Sequence, residues 1–108
     1  VLDYILSLIV LRDTTVTTEG INSLRKQIDE LDNQLMELLS KRMRVCREIG
    51  QYKKEHNMTV LQTSRYNEIL DKRGAQGALC GMEPTFIKTI FEAVHEESVR
   101  QQIEIINK

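Results

Sequence analysis

Apolar residues at Ile21, Leu24, Ile28, Leu31, Leu35 and Leu38, resuming at Val45, Ile49 and Tyr52, alternate spacings of three and four, with no Pro or Gly until Gly50. That rhythm puts them on one face of an α-helix and narrows the face to a heptad seam of the kind that packs helix on helix. Lys53, Lys54 and His56 crowd the end, where positive charge suits the helix dipole, and Asn57 can cap it. The helix so predicted holds roughly 35 residues and measures about 50 Å at about 1.5 Å per residue. A compact domain of about 100 residues has a radius of gyration near 13 Å. The helix overshoots its own globule, so its seam calls for a second chain.

A chain of 108 residues suits one domain. Fifteen basic residues stand against 16 acidic ones, a balance with no pull toward nucleic acid or an anionic membrane. Aromatics are 5% and Trp is absent, while Gly 5 and Pro 1 are too few for a low-complexity chain. This composition leans all-α. Cys46 and Cys80 make neither a disulfide framework nor a zinc site by themselves, which points to a reducing, cytoplasmic setting. Each thiol reads either as a small buried hydrophobe or as a reactive group. The apolar run Val1–Leu11 is broken by Asp3 and Ser7 and falls short of the roughly 20 residues that cross a bilayer. It also lacks the basic leading region of a signal peptide. With no initiator Met, the chain reads as a piece of a longer polypeptide: residues 1–20 end a preceding domain, with Val1–Leu11 a short helix and Arg12–Gly20, bearing four Thr, an extended linker.

Beyond the long helix, Met58–Gln62 reads as a short connection, and Ser64 as the N-cap of a second helix reaching about Arg73 with Ile69 and Leu70 inward. Gly74, Gly77 and Gly81 then read as a loop and helix stop, since no strand precedes them and no Gly-Lys-Ser/Thr follows to cradle a phosphate. Glu83-Pro84 opens a third helix whose stripe runs Ile87, Ile90, Phe91, Val94, Ser98 and Gln102, then Ile105 or Ile106.

Polar residues interrupt these stripes. The heptad rhythm asks for an apolar residue at position 42 and finds Arg42. Lys53 follows eleven residues later, only about 20° away around the axis at about 100° per residue, so Arg42, Cys46, Ile49 and Lys53 share a face. On the third helix Ser98 and Gln102 point where the core should be. Burying a guanidinium without a partner costs several kcal/mol, so Arg42 needs an anion. Two readings stand at this point. One is a buried ion pair with Glu37, Glu48 or Glu68, or a register-setting polar residue in a coiled coil. The other is a preorganised anion pocket lined by Arg42, Lys53, Ser98 and Gln102. Arg25, beside the seam, and Arg65, at the start of the second helix, each read singly as solvated charges.

The stretches Leu24-Arg25-Lys26-Gln27-Ile28-Asp29-Glu30-Leu31-Asp32, Leu38-Leu39-Ser40-Lys41-Arg42, Glu48-Ile49-Gly50-Gln51-Tyr52-Lys53-Lys54 and Glu96-Glu97-Ser98-Val99-Arg100-Gln101-Gln102 resemble the all-helical chorismate mutases over about residues 21–106. The resemblance implies a three-helix subunit with one very long N-terminal helix in an intertwined homodimeric bundle, with residues 21–108 as the mutase domain. It implies rearrangement of chorismate to prephenate, in aromatic amino-acid biosynthesis, at two sites that each borrow an arginine from the other chain. Carried over, Arg25 is the borrowed residue, Arg42 and Arg65 bind substrate carboxylates, Lys53 and Gln102 donate to the ether oxygen, and Ser98 lies beside the substrate. A distance argument agrees. Arg25 and Arg42 are 17 residues apart, about 25 Å along one helix, so they share a pocket only if two long helices run antiparallel in a dimer. Two positions depart from the family's pattern: Gln62 stands where an acidic residue is common, and Tyr66 where a glutamate commonly bonds the substrate hydroxyl. The rearrangement needs no metal or cofactor. Val1–Leu11 with Arg12-Asp13-Thr14-Thr15 also resembles the end of a 3-deoxy-heptulosonate 7-phosphate synthase, which implies a bifunctional enzyme with a fused N-terminal synthase domain. The alternatives are a non-catalytic dimerisation module and a prephenate-sensing regulatory appendage of such a synthase.

Overall fold

The computed structural model describes residues 16–108, and among these every regular element is a helix: α1 (Val16–Glu55), α2 (Thr63–Leu79) and α3 (Pro84–Ile106). The expected short helix at Val1–Leu11 and residues 12–15 of the expected linker lie outside the described residues. The chain divides into two units, Val1–Leu39 and Ser40–Lys108.

Helix α1 has 40 residues and begins five positions before the expected Ile21, so Val16–Gly20, expected to be extended, is helical. Thr and Gly are weak helix formers, but adding a residue to an existing helix gains a hydrogen bond without a new nucleus. Glu19 in the first turn also complements the helix dipole. In the first unit the seam is bare in the single chain: Leu24, Ile28, Leu31, Leu35 and Leu38 are each more than half exposed. The expected end of α1 holds. Asn57 takes a left-handed φ of 53°, and the Met58 N–H donates to the Lys53 carbonyl at 2.8 Å, closing a Schellman-type cap.

The second unit packs α2 and α3 beside the last turns of α1. The pairs Arg47 Nη1 to Gln101 Oε1 (2.6 Å) and Lys54 Nζ to the Lys108 carbonyl (2.8 Å) advance together along the chain, so α3 runs parallel to this part of α1. Pro84 stands in the first turn of α3, as expected. Two boundaries of α2 differ from expectation. Its N-cap is Gln62 and not Ser64. The helix also runs past Arg73, through Gly74 and Gly77, to Leu79, and only Gly81 (φ 81°) ends it.

Those two glycines are buried because they are where α2 and α3 approach most closely. A Cβ on Gly77 would run into the side chain of Ile87, and one on Gly74 would come within 2.9 Å of the Lys88 side chain. They cost helix propensity, about 1 kcal/mol each, and permit the packing that offsets it. Among the described residues the buried hydrophobic side chains are Ile21, Met43, Cys46 and Ile87, a thin core that leaves most large apolar residues at the surface. No described helix is long and apolar enough to cross a membrane.

Candidate active site

The three helices of the second unit border a half-open cavity of about 370 Å³. Residues Arg42, Cys46, Ile49 and Lys53 of α1 line it, the one-face set expected from the spacing. The connection and α2 contribute Val60, Gln62, Arg65, Tyr66 and Ile69; α3 contributes His95, Ser98, Val99 and Gln102. Seven of the eight expected site residues therefore meet here. Arg25, on the first unit's part of α1, is exposed and does not line the cavity.

Arg42 is positioned from α3. Its Nη1 donates to Ser98 Oγ at 2.9 Å; Ser98 in turn donates to the Val94 carbonyl (2.9 Å) and accepts from Cys46 Sγ (3.2 Å). Ser98, buried, is thus saturated by protein groups and fixes the guanidinium's orientation. Among the described residues no carboxylate lies within ion-pair distance of Arg42 or Lys53, and Nε and Nη2 of Arg42 have no partner. The buried-ion-pair reading fails on this point: Glu68 pairs with Arg65 at 3.2 Å on the surface, and Glu37 and Glu48 pair with neither cation. An exposed pair of that kind contributes about 0–1 kcal/mol, so Arg65 is readily redirected to a ligand.

Lys53 is held between two oxygens, the Val60 carbonyl at 2.8 Å and Gln102 Oε1 at 2.9 Å. An ammonium has three donors, so one N–H remains for a ligand. The bond also turns the Gln102 amide so that its oxygen faces Lys53 and its NH2 is left over. Among the described residues that nitrogen has no partner and no buried side-chain polar atom lacks one, so the NH2 is accessible to solvent, on a residue that lines the cavity. Gly50 makes this registration possible: a Cβ there would sit 3.0 Å from Gln102 Cα.

The electrostatics are those of a cationic pocket. Burial pushes the Lys53 ammonium below the usual lysine value of 10.5, opposed by Cys46. His95 is pushed below the usual histidine value by burial first, then by Arg42 and, more weakly, Lys53, against a pull from Glu96. It is therefore neutral at pH 7. Burial, reinforced by Glu92 and Glu96, raises the Tyr66 phenol. Tyr66 and His95 pack ring on ring, centroids 4.0 Å apart and tilted by 31°.

His95 and the Val60 carbonyl were not anticipated as site groups. The histidine had a legible signal: it precedes Ser98 by three residues and Gln102 by seven, which is one helix face. The carbonyl had none, since any backbone carries one. If Lys53 acts as its ammonium, turnover should fall on the alkaline side of a pH–rate profile, at a lower pH than the ordinary lysine value of 10.5 because the charged form is disfavoured. A rate still flat at pH 10.5 would remove Lys53 from that role.

The family model described as chorismate mutase type II matches residues 24–103. The 4-amino-4-deoxychorismate mutase of Streptomyces pristinaespiralis is 27% identical over 89 residues, 82% of this chain and 69% of that protein. The T-protein of Enterobacter agglomerans is 30% identical over 78 residues, 72% of this chain. The bifunctional chorismate mutase/prephenate dehydratase of Buchnera aphidicola subsp. Schizaphis graminum is 28% identical over 86 residues, 80% of this chain. The chain spans only 21% and 22% of the length of those last two proteins. Among solved structures, a conserved hypothetical protein from Pyrococcus furiosus superposes with a TM-score of 0.65 at 32% identity, covering 83% of this chain and 99% of that one.

Proposed function

The chain belongs to the chorismate mutase type II family, and from that premise we propose that the cavity of its second unit converts chorismate to prephenate. The observation that carries this reading is that Arg42 and Lys53 face one cavity without a described carboxylate to neutralise them. Two half-buried cations with no described carboxylate beside them form a positive site that favours a small dianion.

Chorismate is such a dianion, and its rearrangement is intramolecular: the ether C–O bond breaks as a C–C bond forms. The protein must hold the folded conformer and stabilise charge growing on the ether oxygen. Arg42, oriented by Ser98, and Arg65 suit the carboxylates, since a guanidinium fork grips a carboxylate with two bonds. The unused N–H of Lys53 and the NH2 of Gln102 converge as donors for the ether oxygen. Both groups are already paired with each other, so little reorganisation accompanies the reaction.

The bare heptad seam supports a homodimer in which Arg25 of a second copy completes the site. The free thiols of Cys46 and Cys80 support a cytoplasmic setting. A fused N-terminal synthase rests on the sequence of residues 1–15 alone, and the relatives named as bifunctional join a mutase to a prephenate dehydratase. The names of the relatives also offer a second substrate, 4-amino-4-deoxychorismate, with an amine in place of the ring hydroxyl.

Loss of chorismate's ultraviolet absorbance on adding the chain tests the activity directly; no loss with a folded, helical protein overturns it. For the shared site, Arg25→Ala and Arg42→Ala chains should each be impaired and, when mixed, regain activity because one site per heterodimer is then intact. Absence of recovery after demonstrated subunit exchange refutes the borrowed arginine.

A further inference from the structure

We propose that Cys46 is a positioning residue for Arg42: with Ser98 it anchors Nη1 of the guanidinium, so that the Nε–Nη2 edge is presented to a substrate carboxylate. The inference rests on the mutase reading and deepens it. It gives a task to a buried thiol that the rearrangement itself does not use.

The geometry starts from one turn of α1. Arg42 and Cys46 are four residues apart, so their side chains stand one above the other on a single face. Both reach the same oxygen of α3: Ser98 Oγ lies 2.9 Å from Arg42 Nη1 and 3.2 Å from Cys46 Sγ. A hydroxyl has one hydrogen and two lone pairs. The hydrogen goes to the Val94 carbonyl at 2.9 Å, one turn earlier on α3. Met43 Sδ, 3.8 Å away, offers it only a weaker alternative. Both lone pairs are therefore left for α1, and Cys46 donates its S–H to the one that Arg42 does not use. The sulfur in turn stands 3.7 Å from Arg42 Nη1 and accepts from it, which closes a triangle.

One hydrogen bond alone would leave the guanidinium free to swing about Ser98. Two anchor points on one nitrogen fix its plane. The opposite edge, Nε with Nη2, has no partner among the described residues. That edge carries two parallel N–H bonds, the geometry that grips a carboxylate. Ser98 is 5% exposed and Cys46 6%, so removing the thiol hydrogen strands a lone pair that solvent does not readily reach. A carboxylate contact is made in the ground state and the transition state alike, so misaligning Arg42 raises KM and spares kcat.

The test compares Cys46→Val, Cys46→Ala and Cys46→Ser with the parent, by kcat and KM for chorismate and by thermal melting. Valine fills the space but removes both the donor and the acceptor; serine keeps both on a smaller side chain. Positioning predicts a KM raised about three- to tenfold in Cys46→Val, the fold-change of one lost hydrogen bond, with kcat little changed. Cys46→Ser should bring KM back to within about twofold of the parent. A packing role predicts the reverse order, with valine matching the parent and serine impaired. That order, an equal KM in all variants, or a loss confined to kcat overturns the proposal. Cys46→Ala also lacks the donor and carries the test should the valine variant lose helicity. If the parent does not turn over chorismate, the mutase reading fails separately, and calorimetric titration with chorismate decides the positioning. Binding about three- to tenfold weaker in the valine variant than in the serine variant upholds it. Equal binding, or none by the parent, refutes it.

Discussion

Replacing Lys53 by alanine is expected to lower kcat for chorismate by on the order of 10²–10³ while the helical signal stays that of the parent, the loss typical of removing one preorganised donor from a developing oxyanion. Two effects add in the same direction. The ammonium itself is lost, and Gln102 loses the partner that holds its carbonyl away from the reacting oxygen. Lys53→Arg restores charge but not the compact geometry between the Val60 carbonyl and Gln102, so it should recover only part of the loss. Because the donors act on charge that grows during bond breaking, the deficit should appear in kcat more than in KM. A Lys53→Ala chain with the parent's turnover would overturn the assignment of the ether-oxygen donor.

A second large effect is expected from Gly77→Val, this time on stability. The first methyl group already collides with Ile87, one of the few buried hydrophobic side chains described. Overpacking of that kind costs about 1–3 kcal/mol, and β-branching returns only part of the glycine penalty within a helix. For a domain of this size each kcal/mol corresponds to roughly 4–8 °C in Tm, so a drop of about 5–20 °C is expected in a thermal melt. Gly20→Ala provides the contrast. Nothing lies within 4 Å of a Cβ there, and the change should raise stability by about 0.5–1 kcal/mol through helix propensity alone. If the two variants melted alike, close helix approach would not be the reason Gly77 is glycine.

Those two glycines mark where local pattern stops being sufficient. Gly74 and Gly77 carry no apolar periodicity and resemble punctuation, so the expected α2 ended at Arg73. Their reason for being helical lies on α3, at Lys88 and Ile87. Val16–Gly20 is similar in kind: composition argued for an extended segment, whereas the helix already nucleated downstream extends into it. Ser64 lost the cap position because Gln62 ends the connection first.

What the sequence determined by itself was placement around each helix axis. A helix turns by a fixed angle per residue, so Arg42, Cys46, Ile49 and Lys53 had to share a face, as did Ser98 and Gln102, whatever they faced; the cap at Asn57 was legible as well, from the basic run before it. What only the tertiary structure decided was pairing between helices. That Arg42 meets a serine and not a glutamate, that Lys53 turns the Gln102 amide outward, and that His95 stacks on Tyr66 all depend on how far and at what register two helices approach. Those contacts arise between residues tens of positions apart, and no periodicity within either helix encodes them.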